Sequence, residues 1–424
     1  MNSTVTLPAW VVALFVIAIV VLAVIVWSIK RRGSVRLTNG RWADGSPVDT
    51  VAGLLQSTVV EGNAIELLQN GTFFEALFAD IERATATINI ETFLAKEGQV
   101  TRRLTDLLVR KRKAGVEVRM LLDASGGKKY GDRDVARLRE AGCVVRKFHP
   151  FVLRNLGRFN QRTHRKIAII DGRIGYVGGH CLVDTWLGEA QDLGHFRDIT
   201  ARVEGPVVNQ LQSAFGENWI EECGEVLAGE QFFPAPAHAG SSKAHVVFAS
   251  PSGAPSLLKL LHYIAIDGAQ KSISIQNPYF LPDPDARRAL LEAVRRGVEV
   301  RVMIPSADAT DAKLVSHASH HRYGMLLEGG VRIFEYERTL LHQKVFTIDG
   351  SWSSVGSTNF DDRSFEINEE VSLVVWDDRL AQQLEDIFEE DLRHARERHA
   401  DEWEKRSVAH KLRDGLSFLV NEQL

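Results

Sequence analysis

The chain has 424 residues, 45% hydrophobic and 25% charged. That is an ordinary globular mixture, which excludes a disordered or fibrous protein and leaves room for two or three domains. The 51 basic against 55 acidic residues give a net charge of -4, so no global basic field points to nucleic acid. Cys143, Cys181 and Cys223 are the only cysteines; they exclude a disulfide scaffold and lack the CxxC spacing of a structural zinc site.

Residues 9–29 form an apolar run whose only clearly polar member is Ser28. As a helix rising about 1.5 Å per residue, the run reaches roughly 30 Å, the thickness of a bilayer core. Trp10 and Trp27 stand near its ends, Lys30, Arg31 and Arg32 follow it, and no Lys or Arg precedes it. The positive-inside rule then predicts a single-pass anchor in the cell (inner) membrane with the rest of the chain on the cytoplasmic side. A cleaved signal peptide would need a basic start and a shorter apolar core. Residues 1–32 are therefore read as the anchor and 33–60, with Gly, Ser, Asp and Thr, as a juxtamembrane linker.

Beyond the linker the chain repeats itself with an offset of about 180 residues. ATINIETFL (86–94) matches KSISIQNPYFL (271–281), and AGVEVRMLLDA (114–124) matches RGVEVRVMIPSA (296–307). GCVVRKF (142–148) matches GGVRIFEY (329–336), and THRKIAIIDGRIGYVGG (163–179) matches LHQKVFTIDGSWSSVGS (341–357). Each copy alternates β-branched runs with amphipathic helical runs, which predicts two tandem α/β domains with largely covered sheets. The domains are set at 61–235 and 243–397, with the Pro- and Gly-rich stretch 232–242 at the boundary and a helical tail at 398–424. The tail repeats Val408, Leu412, Leu416 and Leu419 on one helical face.

Both copies carry His-x-Lys-x4-Asp: His164, Lys166 and Asp171, then His342, Lys344 and Asp349. On an extended strand His and Lys two apart share a face. A neutral imidazole beside an ammonium suits attack on a phosphate, the nitrogen supplying a lone pair and the lysine neutralising oxygen charge. The Asp falls at the strand end before a Gly and is expected to hold backbone rather than substrate. Small residues follow each motif, Gly178 and Gly179 in the first copy, Gly356 and Ser357 in the second. They are expected to let backbone approach a ligand.

These paired motifs resemble the phospholipase D superfamily. FRDITARVEGPVVNQLQSAFGENW (196–219), IQNPYFLPD (275–283) and GSTNFDDRSFEINEE (356–370) are similar to its bacterial cardiolipin synthase branch. The resemblance spans roughly residues 65–400. It implies two phospholipase D-type α-β-α sandwich domains around a pseudo-two-fold axis, with both motifs in one pocket. It further implies that His164 attacks the phosphodiester, that His342 serves as acid and base, and that Lys166, Lys344 and Asn359 hold the phosphate. Asp198, 34 residues after His164, and Glu370, 28 after His342, are implied as carboxylates orienting the histidines. Glu369 is the neighbour most easily mistaken for Glu370. The first copy departs from the pattern: Cys181 stands where Asn359 stands in the second, so His180 becomes a candidate substitute on the phosphate.

The resemblance implies a phosphatidyltransferase acting on phosphatidylglycerol at the bilayer, with no cofactor, no metal and no nucleic-acid partner. A hydrolase, a synthase using another alcohol, a tethered nuclease and a silent scaffold remain as alternatives, and the oligomeric state stays open. The basic stretch from Arg146 to Lys166 is a candidate cationic entrance for lipid headgroups.

Overall fold

The computed structural model describes residues 8–30, 51, 53–152, 155, 158, 160–251, 256–404 and 406, with backbone alone for 22–30, 314, 318, 321 and 404. Most of the linker, Arg31, Arg32, Arg154 and the apolar face of the tail lie outside the described residues. The apolar run is helical over Ala9–Lys30 (α1). Side chains of α1 are described only as far as Val21; among the described residues no helix is long and apolar enough to cross a membrane.

Seven strands build the first half: β1 (Val60–Gln69), β2 (Thr87–Thr92), β3 (Glu117–Asp123), β4 (Val144–Phe148), β5 (Ile167–Ile170), β6 (Ile174–Gly178) and β7 (Ile199–Glu204). Eight build the second: β8 (Ser242–Ala249), β9 (Ser272–Gln276), β10 (Glu299–Pro305), β11 (Arg332–Tyr336), β12 (Val345–Ile348), β13 (Trp352–Gly356), β14 (Glu370–Trp376) and β15 (Ala395–Arg398). All belong to one mixed sheet ordered β15-β11-β10-β9-β12-β13-β14-β8-β1-β7-β6-β5-β2-β3-β4. Read inward from β4 and from β11, the two halves have the same order. They meet where β1 and β8 pair antiparallel through Asn63 and Ser242. The tandem domains thus share one sheet.

The strands are continuously apolar because both faces are covered. Along β5, Ala168 and Ile170 face a core under α2 (Thr72–Arg83), α3 (Gln99–Lys113) and α4 (Asp132–Glu140). Ile167 and Ile169 face the opposite core under α5 (Val208–Cys223). The second half repeats this with α6 (Leu257–Gly268), α7 (Pro284–Arg295) and α8 (Lys313–Glu328) on one side. The core on the α5 side crosses the boundary. Phe215 and Trp219 of the first half belong to it with Val345, Val371 and Leu373 of the second. Each large buried side chain there contributes about 1.5–3 kcal/mol to keeping the halves together.

The end of the expected linker is packed rather than free. Val51 and Leu55 are buried against the second-half core, because that stretch carries apolar residues among its Gly and Ser. The Asp-Gly turns have a separate logic. Asp171 and Gly172, then Asp349 and Gly350, all have positive φ, the two central positions of a type I′ hairpin turn.

Candidate active site

His164 and Lys166 continue the alternation of β5, so they share the face of Ala168 while Arg165 points the other way. Arg165 is fully buried and reaches Glu217 Oε2 at 2.6 Å and Glu369 Oε2 at 3.0 Å. Gln343, its counterpart, donates to Asp391 Oδ2 at 3.0 Å, so His342 and Lys344 likewise turn to the site. Each histidine is pinned by a backbone bridge to the opposite half. The His164 amide donates to Glu369 O (2.9 Å) and the Glu369 amide to Arg162 O (2.9 Å). The His342 amide donates to Arg197 O (2.7 Å) and the Arg197 amide to Leu340 O (2.9 Å).

These two bridges exchange the carboxylates. Order along the chain would pair Asp198 with His164 and Glu370 with His342. In the fold, His164 Nδ1 lies 2.9 Å from Glu370 Oε1, and His342 Nδ1 lies 2.8 Å from Asp198 Oδ2. The residue after each bridge partner is the carboxylate, so pinning Glu369 to Thr163 and Arg197 to Leu341 delivers the next side chain to the opposite histidine. Glu369 itself turns away to Arg165 and Ser250. With Nδ1 facing a carboxylate, Nε2 is the nitrogen each ring turns away from it; at His342 Lys344 Nζ lies 3.0 Å from that nitrogen.

The two carboxylates have different surroundings. Trp186 Nε1 donates to Asp198 Oδ2 at 2.7 Å, and its ring lies edge-on to His342 with centroids 5.1 Å apart. An indole can only donate, which favours the ionised carboxylate. Burial pushes Asp198 up, but His180, His342 and the hydrogen bond from His342 outweigh it and hold Asp198 below the usual carboxylate range. Glu370 accepts from the Ser357 hydroxyl and from Asn368 Nδ2 at 3.4 Å. Burial pushes it up to about 7, against the attraction of Lys166. Burial lowers both histidines, His164 well below its ordinary value, with the charges of Lys166 and Lys344 adding to the effect there.

The lysines are held by backbone. Lys166 Nζ donates to His164 O at 2.6 Å, and Lys344 Nζ to His342 O at 2.5 Å. Burial lowers both, Lys344 to about 7. The buried Asn359 side-chain oxygen has no hydrogen-bond partner. Phe93 stands edge-on to His164, centroids 5.2 Å apart, with Lys166 Nζ 5.5 Å from its ring centre.

Asp171 and Asp349 hold backbone, as their place at the strand ends suggested: Asp171 accepts from the amides of Thr85, Ala86 and Thr87, Asp349 from those of Gln270, Lys271 and Ser272. Other expectations change. The small residues make room for carboxylates and strands rather than for a ligand. A Cβ on Gly179 would stand 2.2 Å from Asp198 Oδ1, and one on Gly178 would stand 2.5 Å from Thr200 Cα. Ser357, at the Gly179 position of the second half, bonds Glu370 instead. His180 does not take the place of Asn359. Its Nδ1 lies 2.8 Å from Thr200 Oγ1, its Nε2 2.9 Å from Asn70 O, and its ring stacks on Phe73. Cys181 is buried in the first-half core. Within the expected cationic entrance Arg158 pairs with Glu221, Arg162 lies near Asp123 and Arg165 pairs with Glu217 and Glu369, while Arg146 and Lys147 are exposed.

Trp186, Phe93 and Asn368 were not marked by sequence. Glu91 carried a faint signal as an acid inside the apolar strand β2; it is fully buried beneath Thr163, which donates to it, and Asn218 Nδ2 lies 2.7 Å away.

The family model described as "Cardiolipin synthase, PLD-like domain" matches residues 77–219 and 263–392, one match over each half of the pair. The chain belongs to the cardiolipin synthase family, with tandem PLD-like domains. It is 35% identical over 362 residues to a probable cardiolipin synthase of Bacillus subtilis (strain 168), covering 84% of this chain and 71% of that one. It is 33% identical over 370 residues to the cardiolipin synthase of Oceanobacillus iheyensis, covering 87% and 77%. The fold is that of the phosphatidylserine synthase of Haemophilus influenzae Rd KW20, with TM-score 0.67 at 14% identity over 89% of this chain and all of that one. The superfamily and branch resemblance in the motifs therefore holds across this family's two halves.

Proposed function

We propose that the chain is a membrane-anchored cardiolipin synthase. It transfers a phosphatidyl group from one phosphatidylglycerol to a hydroxyl of a second, through a phosphohistidine, and releases glycerol. The observation that carries this reading is the exchanged pair of His–carboxylate contacts beside two lysines in one buried site, in a chain of this family.

His164, neutral and donating Nδ1–H to Glu370, attacks phosphorus through Nε2. The bond to the glycerol oxygen breaks as His342 Nε2–H protonates that oxygen, and the imidazolium present before this step is stabilised by Asp198. The headgroup hydroxyl of the second lipid then loses its proton to His342 Nε2 and attacks the phosphohistidine, freeing His164. One phosphodiester replaces another, so no nucleotide energy is required. Lys166, Lys344 and the Asn359 amide offset the charge on the phosphoryl oxygens.

Helix α1 serves as the single-pass anchor, with Lys30, Arg31 and Arg32 on the cytoplasmic side. Lipid substrate and tethered enzyme then meet in two dimensions. The test is a product assay with the full chain in detergent–lipid micelles, labelled phosphatidylglycerol and chelator, beside His164→Ala. Cardiolipin and glycerol from the wild type alone support the reading. Phosphatidic acid as the product would make the protein a hydrolase and overturn it.

A further inference from the structure

Many cations on this surface sit beside acids. Arg103 reaches Glu75 at 2.7 Å, Arg110 reaches Glu82 at 2.8 Å and Arg137 reaches Asp106 at 2.5 Å. The loops above β2 and β3 differ. Lys96 and Lys129 are partners in a parallel bridge, so two like charges start from adjacent backbone, and Lys128 is next to them. The bridge is held by the Glu97 amide donating to Lys129 O at 2.7 Å and the Ala95 amide to Gly126 O at 3.3 Å. All three lysines are exposed, and among the described residues none forms an ion pair. The nearest acid in the chain, Glu97, lies along Gly131, with its Cγ 3.6 Å from where a Cβ there would stand.

This cluster is joined to the active site through one residue. Gly126 packs so tightly on Phe93 that a Cβ would stand 2.3 Å from Phe93 O, and Phe93 is the ring edge-on to His164. Lys96 is three residues beyond Phe93, at most roughly 10 Å of extended chain. Three exposed ammonium groups close to Phe93, none of them in an ion pair, in a chain whose net charge is -4, offer a local cationic surface that attracts a negatively charged one.

We infer that Lys96, Lys128 and Lys129 form a docking patch for the anionic bilayer surface. The patch turns the mouth over Phe93 toward the lipid and is separate from the phosphate-holding Lys166 and Lys344. The inference rests on the phospholipid reading of the site.

The experiment places the full chain in nanodiscs of phosphatidylcholine with or without a long-chain carboxylate lipid, which is anionic and lacks a phosphodiester. An amine-acylating reagent is applied and each lysine is read by mass spectrometry. Labelling of Lys96, Lys128 and Lys129 is expected to slow about threefold or more in the anionic discs and to recover in about 0.5 M salt, which screens the surface. Lys271, exposed at the opposite end of β9, is expected to label alike in both. Equal labelling of the three lysines in both discs overturns the patch. Protection by phosphatidylglycerol but not by the carboxylate lipid also overturns it, in favour of a substrate headgroup subsite. Neither readout needs turnover, so failure of the synthase reading stays distinguishable. In the product assay, the combined Lys96→Gln, Lys128→Gln and Lys129→Gln variant is expected to raise KM about tenfold with kcat within about twofold. A fall confined to kcat would place these lysines in the chemistry and overturn the docking role.

Discussion

His342 Nδ1 and Asp198 Oδ2 are 2.8 Å apart and belong to opposite halves of the chain, 144 residues from each other. The reciprocal contact, His164 to Glu370, spans 206 residues. Neither half holds a complete histidine–carboxylate pair by itself, so chemistry and domain association depend on the same contacts. The apolar core that runs across β1 and β8 packs the two halves together.

Trp186 shares Asp198 Oδ2 with His342 and acts as a positioning residue. Asp198→Asn removes the anion behind the imidazolium and is expected to lower kcat about 10³-fold or more, as in related triads. Trp186→Phe keeps a ring but loses the N–H, which is worth about 1–3 kcal/mol. A fall in kcat of about tenfold, with KM little changed and the acid limb of the pH profile displaced, is expected from single-turnover kinetics. An unshifted profile with a lowered melting temperature would reduce Trp186 to packing.

Glu370 is raised by burial to about 7 in the folded protein, above its value of about 4.5 in an unfolded chain. The folded state therefore binds the extra proton between those values, and this group's contribution to stability falls as pH rises from about 4.5 to about 7. The depressed His164 acts in the opposite sense below its ordinary value, so the wild-type curve alone does not isolate Glu370. Glu370→Gln does: its melting temperature is expected to exceed that of wild type at about pH 8, with the gap closing near pH 5, while activity is lost. Parallel melting curves at both pH values would contradict this.

Asp171 and Asp349 each accept three backbone amides at the start of the strand beside them. Asp171→Ala removes the acceptor of three backbone amides, two of them in partly buried contacts, and is expected to cost about 1 kcal/mol or more by denaturant unfolding. The kcat of the folded fraction is expected to stay within about threefold. A stable but inactive variant would instead place Asp171 in the reaction.

Gly179 has no room for a methyl group, because Asp198 Oδ1 occupies the place. Gly179→Ala is expected to push Asp198 off His342 and lower kcat about 100-fold or more, since misplacement of a catalytic group by about 1 Å carries such a loss. Ser357→Ala, at the matching position, removes one donor from Glu370 and is expected to cost about tenfold or less. Comparable modest losses in the two variants would contradict the steric argument.

The sequence by itself determined the duplication, the alternating α/β character of each half and the four residues His164, Lys166, His342 and Lys344. Local rules govern these: side chains two apart share a strand face, and a repeat of motif and spacing survives translation along the chain. Through the family resemblance it also marked Asp198 and Glu370, each behind the histidine of its own half, whereas the fold exchanges them. Tertiary structure decided that, because the bridges Thr163–Glu369 and Arg197–Leu341 cross between the halves and no local pattern records a contact between segments so far apart. Packing likewise decided that Gly179 yields space to Asp198, that both ring nitrogens of His180 are already occupied, and that Trp186 stands behind the site. A buried hydrogen bond is fixed by where two elements meet, and residue type alone leaves that meeting point open.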